Sequence, residues 1–349
     1  MKTRIIIAAA ILALAACTRL PETGMVIDTD GDGQCVLNVN FSSGTATKST
    51  GQTKADEDAI NNVTLFVFRN ETGYKLDASS YTAVTPAATQ AGSGTPYTAS
   101  LKCTVGAKKI YVVVNAASDL TASVACEADL LACTTNLKDN GTSSFFMLGS
   151  TEVTVSGAQY NVHIPVYRFV SSVRLEKITN LMEAKAYQAD GKFVVNNIYL
   201  TNVVGKTRFD KTTLPSALSS EFWLARLKGE NNALIYDSGV NATVNYGTDK
   251  CYKTTHTFYA YPNDCEASEN SVWTQRATML VIEATLDGVK YYYPVAVRPL
   301  ESNRQYVITN FIIRRPGSNN PWEEVHTSTA SIEIEVAPWG EQITTEEDI

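Results

Sequence analysis

The chain has 349 residues, 44% hydrophobic and only 19% charged, with a formal net charge of −7. Single cores seldom grow beyond about 250 residues, so a chain this long and this apolar predicts two domains. No basic block occurs anywhere, which excludes nucleic acid as the expected partner.

Lys2 and Arg4 precede an uninterrupted apolar run from Ile5 to Ala16. The run is too short to span a bilayer, which takes about 20 residues. A charged start, a short apolar core and small residues at the end predict a secretory signal peptide over 1–16. Leu14-Ala15-Ala16-Cys17 looks like a lipobox, the pattern at which bacterial lipoproteins are cleaved and acylated on the cysteine. The immediate switch to Thr18-Arg19-Leu20-Pro21-Glu22 argues against a buried helix. The expectation is an exported chain whose first mature residue, Cys17, is a lipid anchor.

After a polar stretch, CVLNVNF alternates Cys35, Leu37, Val39 and Phe41 with Val36, Asn38 and Asn40, the period of a half-buried strand. SSGTATKSTGQTKADED then offers almost nothing to bury and predicts an exposed loop open to proteases. NNVTLFVF resumes the strands and NETG reads as a turn. YTASLKCTV and KKIYVVVNA follow, the latter a near-continuous β-branched run that suits a strand covered on both faces. Asp119 to Leu137 is the helical candidate of this half, with Leu120, Val124 and Leu131 on one face and Asp119 as N-cap. TEVTVSG and YNVHIPVYRFVSSVRLEKI lead across a junction near His163 to Val173.

The second half repeats the style. FVVNNIYLTNVV, ALIYDSG, KTTHTFYAYPN, ATMLVIEATLDG and VKYYYPVAV are strand-like, and Asp287-Gly288-Val289 predicts a tight hairpin turn. RQYVITNFIIRR and STASIEIEVAPW are the last two strands. Many short strands without a βαβ rhythm predict a mainly β chain of two tandem antiparallel β-sandwiches.

Local chemistry is sparse. Asp28, Asp30, Asp32 and Gly33 fit the start of a calcium loop, but the twelfth position is Val39 where a bidentate Glu belongs. His163, His256 and His326 are far apart, and Glu323-Glu324 and Glu346-Glu347-Asp348 read as solvated runs. No catalytic residue, cofactor or metal site is expected. Tyr291-Tyr292-Tyr293 could stack on sugars, and tyrosine is equally a good strand former. Apart from Cys17, the cysteines are Cys35, Cys103, Cys126, Cys133, Cys251 and Cys265. Both buried thiols and one or two disulfides remain open, and Cys251 with Cys265 would close a short loop.

Three stretches together resemble the fimbrillins of type V pili, the FimA/Mfa-like pilins of Gram-negative anaerobes. They are KADEDAINNVTLFVF after a lipoprotein signal, GAKKIYVVVNA, and YYYPVAVRPLESNRQYVITNFIIRRPGSNNP followed by IEVAPW. The resemblance implies transthyretin-like sandwiches and a precursor trimmed by an Arg- or Lys-specific protease in the loop after its first strand. It also implies a groove filled by a terminal strand of the next subunit. Carried onto this chain, cleavage falls at Lys54-Ala55, with Lys48-Ser49 as second choice. It removes the strand of Cys35, Leu37, Val39 and Phe41. The donor strand is the one carrying Ile332, Ile334, Val336 and Trp339, whose partners are other copies of the chain and related subunits. The implied organisation is a signal peptide over 1–16, a lipidated propeptide over 17–54, and sandwich domains over 55–165 and 166–349. A loop offering only Lys departs from the family's usual Arg, so an untrimmed anchor subunit stays open. A surface lipoprotein that binds glycans is the other alternative.

Overall fold

In the computed structural model, residues 33–43, 57–89, 97–211, 223–224, 234–266, 276–322 and 324–339 are described. The first half contains β1 (Gln34–Ser43), β2 (Ala59–Arg69), β3 (Leu76–Thr89) and β4 (Tyr97–Thr104). β5 (Gly106–Val114), the short β6 (Thr134–Asn136), β7 (Met147–Val155) and β8 (Gln159–Arg168) follow. All but β6 form one sheet in the order β3-β2-β5-β7-β8-β1-β4.

That sheet doubles back. β7 and β8 pair only at Met147–Arg168 and Leu148–Tyr167 and then diverge. At the other end β3 and β2 touch β4. The result is a sandwich of β3-β2-β5-β7 over β8-β1-β4, packed around Leu65, Val67, Ile110, Val112, Ile164 and Val166. Where β8 crosses, a Cβ on Gly149 would stand 2.2 Å from the carbonyl oxygen of Pro165. A glycine there lets the two backbones approach, and so sets β8 where it can flank β1.

In the second half the strands are β9 (Ser171–Leu175), β10 (Ile178–Asn180), β11 (Phe193–Thr201), β12 (Val203–Val204), β13 (Lys206–Arg208) and β14 (Trp223–Leu224). They continue with β15 (Tyr236–Thr243), β16 (His256–Ala260), β17 (Met279–Leu286), β18 (Val289–Ala296), β19 (Arg304–Ile313) and β20 (Ala330–Pro338). One sheet runs β10-β19-β9-β16 with β20 along the other edge of β19, and a second runs β15-β11-β17-β18. The β17–β18 turn is Asp287-Gly288, both at positive φ (49° and 82°), as a two-residue hairpin requires.

Sheet membership changes between Arg168 and Ser171. The halves nevertheless share apolar packing, which runs from Phe66, Phe68 and Tyr111 through Phe145, Phe146 and Phe169 to Tyr259 and Trp339. This is why β2 and β5 are apolar on both faces: one face lines the sandwich interior and the other this second cluster.

Two expectations change in detail. Pairing is mostly antiparallel, but β1 lies parallel to β8, and β9 and β10 lie parallel to β19. The helix is also much shorter than the stretch 119–137: α1 covers only Glu127–Ala132. Asp119 accepts hydrogen bonds from Thr121 N (2.8 Å) and Oγ1 (2.7 Å) and makes a turn instead of an N-cap. Backbone pairing of Ala125 and Glu127 with Leu76 and Tyr74 holds the chain extended where the helix would have continued. Tertiary pairing overrides the local pattern there.

A buried ion pair ties β3 to β5. Lys108 Nζ is 3.1 Å from Asp77 Oδ2, with side chains 3% and 1% exposed. Burial alone would raise the Asp77 pKa, but hydrogen bonds from Thr104 and the Lys108 charge outweigh it and hold the carboxyl below its ordinary value. A depressed pKa contributes stability above the unfolded-state value and loses it as pH falls through the folded one. Denaturant stability is therefore expected to drop below about pH 4, and Asp77→Asn to flatten that part of the profile. Gly149→Val should cost about 1–3 kcal/mol in the same assay by forcing β7 and β8 apart.

Candidate functional site

The residues singled out at the two ends of the chain fall on β1, on β20 and at the junction between them. β1 is a central strand. Gln34 to Phe41 register antiparallel with β4, and Val36 to Ser43 register parallel with β8. Cys35, Leu37, Val39 and Phe41 are each 0% exposed and fill the sandwich interior. Phe41 also packs on Tyr97 of β4, ring centroids 5.3 Å apart. On the outer face, Asn38 donates to Asn161 (2.9 Å) and accepts from Ser100 (2.7 Å), while Thr98 donates to Asn40 (2.7 Å). One buried face and one hydrogen-bonded face together fix the register, since a one-residue slip would invert both.

Four fully buried side chains of this kind are worth on the order of 6–10 kcal/mol. That is comparable to the whole net stability of a typical domain, about 5–15 kcal/mol. A sandwich without β1 would expose an apolar groove between β4 and β8.

β20 has the opposite character. Its only ladder among the described residues is with β19, from Arg304–Pro338 to Ile313–Ala330. Ile332 is half-buried, whereas Ile334 is 38% and Val336 54% exposed. Glu333 and Glu335 alternate with them and are exposed. The strand thus keeps an apolar face that its own subunit covers only in part, beside an edge left unpaired among the described residues.

Trp339, one residue past β20, behaves differently: it is 4% exposed and held inside its own chain. It stacks on Tyr259 (5.8 Å, 20°) and meets Phe145 edge-on (5.8 Å), and the Arg168 guanidinium sits 4.8 Å above its ring. Its indole Nε1 donates to Glu57 Oε2 at 3.1 Å. Tyr259 OH donates to the other oxygen of Glu57 at 2.7 Å. Arg168 pairs with Asp58, both 2% exposed, and donates from Nε to the Glu57 carbonyl at 3.3 Å. The residues just after Lys54-Ala55 are therefore clamped between the two halves and against the end of β20.

Sequence reading singled out Trp339 but not this cluster. Its signal was faint: an acidic pair after a polar loop, and a lone arginine in an apolar strand. Cys17, Lys48, Ser49, Lys54 and Ala55 lie outside the described residues, as does Asp28-Thr29-Asp30-Gly31-Asp32. The three histidines are not brought together. His256 is buried between Asp237 (Nδ1···Oδ2 2.6 Å) and Tyr252 (Nε2···OH 3.0 Å). His163 is exposed in β8, and His326 accepts from Ser328 N in a turn. Among the described residues no group of three His, Cys, Asp or Glu side chains could hold a metal. Tyr293 is fully buried against Phe193, so the Tyr291 to Tyr293 run presents no three-ring platform to a sugar.

The fold is that of fimbrial and cell-adhesion proteins. A putative cell adhesion protein from Bacteroides eggerthii superposes with a TM-score of 0.62 at 20% identity, covering 88% of this chain and 97% of the other. The fimbrilin FimA of Porphyromonas gingivalis gives 0.58 at 16% identity, covering 87% and 97%. The tip fimbrial protein Mfa3 of Porphyromonas gingivalis, with a C-terminal truncation, gives 0.52 at 14% identity, covering 88% and 100%. No curated protein sequence matches. The family model of the major fimbrial subunit protein (FimA) matches residues 36–183, from β1 to just past β10. Over that range the chain is similar to the major fimbrial subunits, and the resemblance to fimbrillins is borne out.

The junction gives a direct test. Arg168→Leu leaves Asp58 buried and unpaired and is expected to cost about 3–5 kcal/mol in urea denaturation. Adding Asp58→Asn should recover a large part of that loss.

Proposed function

We propose that this chain is the precursor of a pilus subunit that polymerises by exchanging strands. It is exported, lipidated on Cys17 and held at the outer membrane. A Lys- or Arg-specific protease then cuts the loop after β1, at Lys54-Ala55 or at Lys48-Ser49. The lipidated propeptide leaves with β1, and the groove between β4 and β8 receives a terminal strand from another copy or a related subunit. The mature protein resides in the extracellular fimbrium and serves adhesion.

The observation that carries this reading is the position of β1. It is the middle strand of its layer, wholly buried on one face, and the loop that follows it contains both candidate lysines. A disposable segment has no reason to occupy the centre of a sheet unless its departure creates something. The three apolar residues of β20 recur at every second position, as do the inward residues of β1, and two of them are exposed. For β20 to serve as donor it must leave β19, and Trp339 would leave its pocket or act as the hinge about which the strand swings out.

The alternative that one feature favours is an anchor subunit. The loop carries lysines and no arginine, so a protease strict for arginine would spare it and leave the lipid attached.

Limited trypsin digestion of the chain from which residues 1–17 are deleted, followed by mass spectrometry and sizing, separates the two. A clean cut after Lys54 or Lys48 with ladder-like oligomers is the expected result for a polymerising subunit. A cut that leaves a stable monomer, or no cut there, assigns the chain to the anchor role.

A further inference from the structure

Cys35 of β1 stands directly opposite Cys103 of β4 in the antiparallel ladder. Both point into the first sandwich, 0% and 5% exposed, and in this structure both are free thiols. We propose that Cys35 and Cys103 form a redox-controlled disulfide that staples β1 into its groove, so that a cut in the following loop does not by itself release the strand. The bond requires only the geometry and the leader; its consequence for strand release rests on the exchange reading above.

The geometry permits the bond. Residues opposite each other in an antiparallel pair have Cα atoms about 4.5 or 5.5 Å apart, and disulfides span about 4.4–6.8 Å. Val105 N donates to Gly33 O at 2.9 Å one step outside β1 and β4. By ladder alternation Cys35 and Cys103 are then a hydrogen-bonded pair, of the wider kind. Closure asks the two Cβ atoms to approach by about 1–2 Å, which needs a local adjustment of the strands and makes the disulfide more easily reduced than a relaxed one.

The step is an oxidation. Cys35 Sγ and Cys103 Sγ lose their two protons and two electrons and form one S–S bond. The electrons pass to a disulfide-bearing oxidoreductase of the exported compartment, whose own disulfide becomes a dithiol. Exchange proceeds through a thiolate, and in the folded protein burial, the Asp77 carboxylate and Cys35 push the Cys103 thiol up to about 11. Oxidation therefore belongs to the stage when the chain folds after export, before β1 is sealed in. A chain that folds reduced stays reduced, and the two forms persist side by side.

This matters because β1 carries no other covalent link once the loop is cut. Without the bond, nicked β1 is held by burial and its two ladders and can be displaced by a competing strand. With the bond it cannot leave, whatever competes for the groove.

The test uses the full chain, produced with its own leader in a Gram-negative host and extracted from the envelope with free thiols blocked. Digestion with trypsin after denaturation should yield peptides 20–48 and 103–108 joined, lighter by two hydrogens than their sum and separated by reductant. Complete alkylation of both cysteines without reduction would overturn the staple. In a second arm the native protein is nicked and incubated with a synthetic peptide of residues 330–339. Loss of the β1 fragment only after reductant is added, or without reductant in Cys35→Ser and Cys103→Ala, is the expected outcome. Because the reductant arm uses the unaltered chain, it holds even where a variant folds poorly. A joined peptide pair with the fragment retained after reduction would keep the disulfide but overturn its role as the lock, and the exchange reading with it.

Discussion

A sheet cannot lose a middle strand and stay closed, and that constraint organises the molecule. β1 contributes no contacts at an edge. It separates β4 from β8 and supplies four wholly buried side chains to the interior. The rest of the first half is arranged to accept it: Gly149 lets β8 cross to its place beside β1, and the outer hydrogen bonds of Asn38 and Asn40 fix where along the groove it sits. This deeply built-in strand is followed in the sequence by a polar stretch that carries Lys48 and Lys54.

Much of this was legible in the residues. Alternation over Cys35 to Phe41 indicated both the strand and its buried face, and Asp287-Gly288 marked a hairpin that the backbone adopts. The near-continuous β-branched run within Lys108 to Ala116 indicated double burial, and β5 is buried on both sides because the second half packs on its outer face. These features are short-range, so a local pattern encodes them. The parallel pairing of β1 with β8 was not legible, because pairing partners 123 residues apart leave no trace in either segment alone. The helix failed for a related reason: Tyr74 and Leu76 compete for the backbone of Ala125 and Glu127, and nothing within 119–137 records that competition.

The junction cluster is the clearest case of hidden information. Glu57, Asp58, Arg168, Tyr259 and Trp339 come from four separate stretches and acquire meaning only when assembled. Asp58 and Arg168 would each be costly to bury alone. Together they fasten the residues just before β2 between the halves and leave Glu57 to receive the indole of Trp339. Glu57 and Asp58 are in this way held by contacts to both halves of the chain.

The placement of β1 has a mechanical consequence. A strand seated between β4 and β8 and pulled along its own axis loads both ladders in shear, so its hydrogen bonds must yield together. β20, lying on the single edge of β19, can instead be peeled from one end with its bonds broken in turn. A fibre joined through such seats would be stiff against tension along its length, while each subunit could still be opened by a small force applied sideways at one terminus. The same chain thus holds one strand that resists a pull along its axis and another that unzips from an end, and the difference between them lies in the direction of pull.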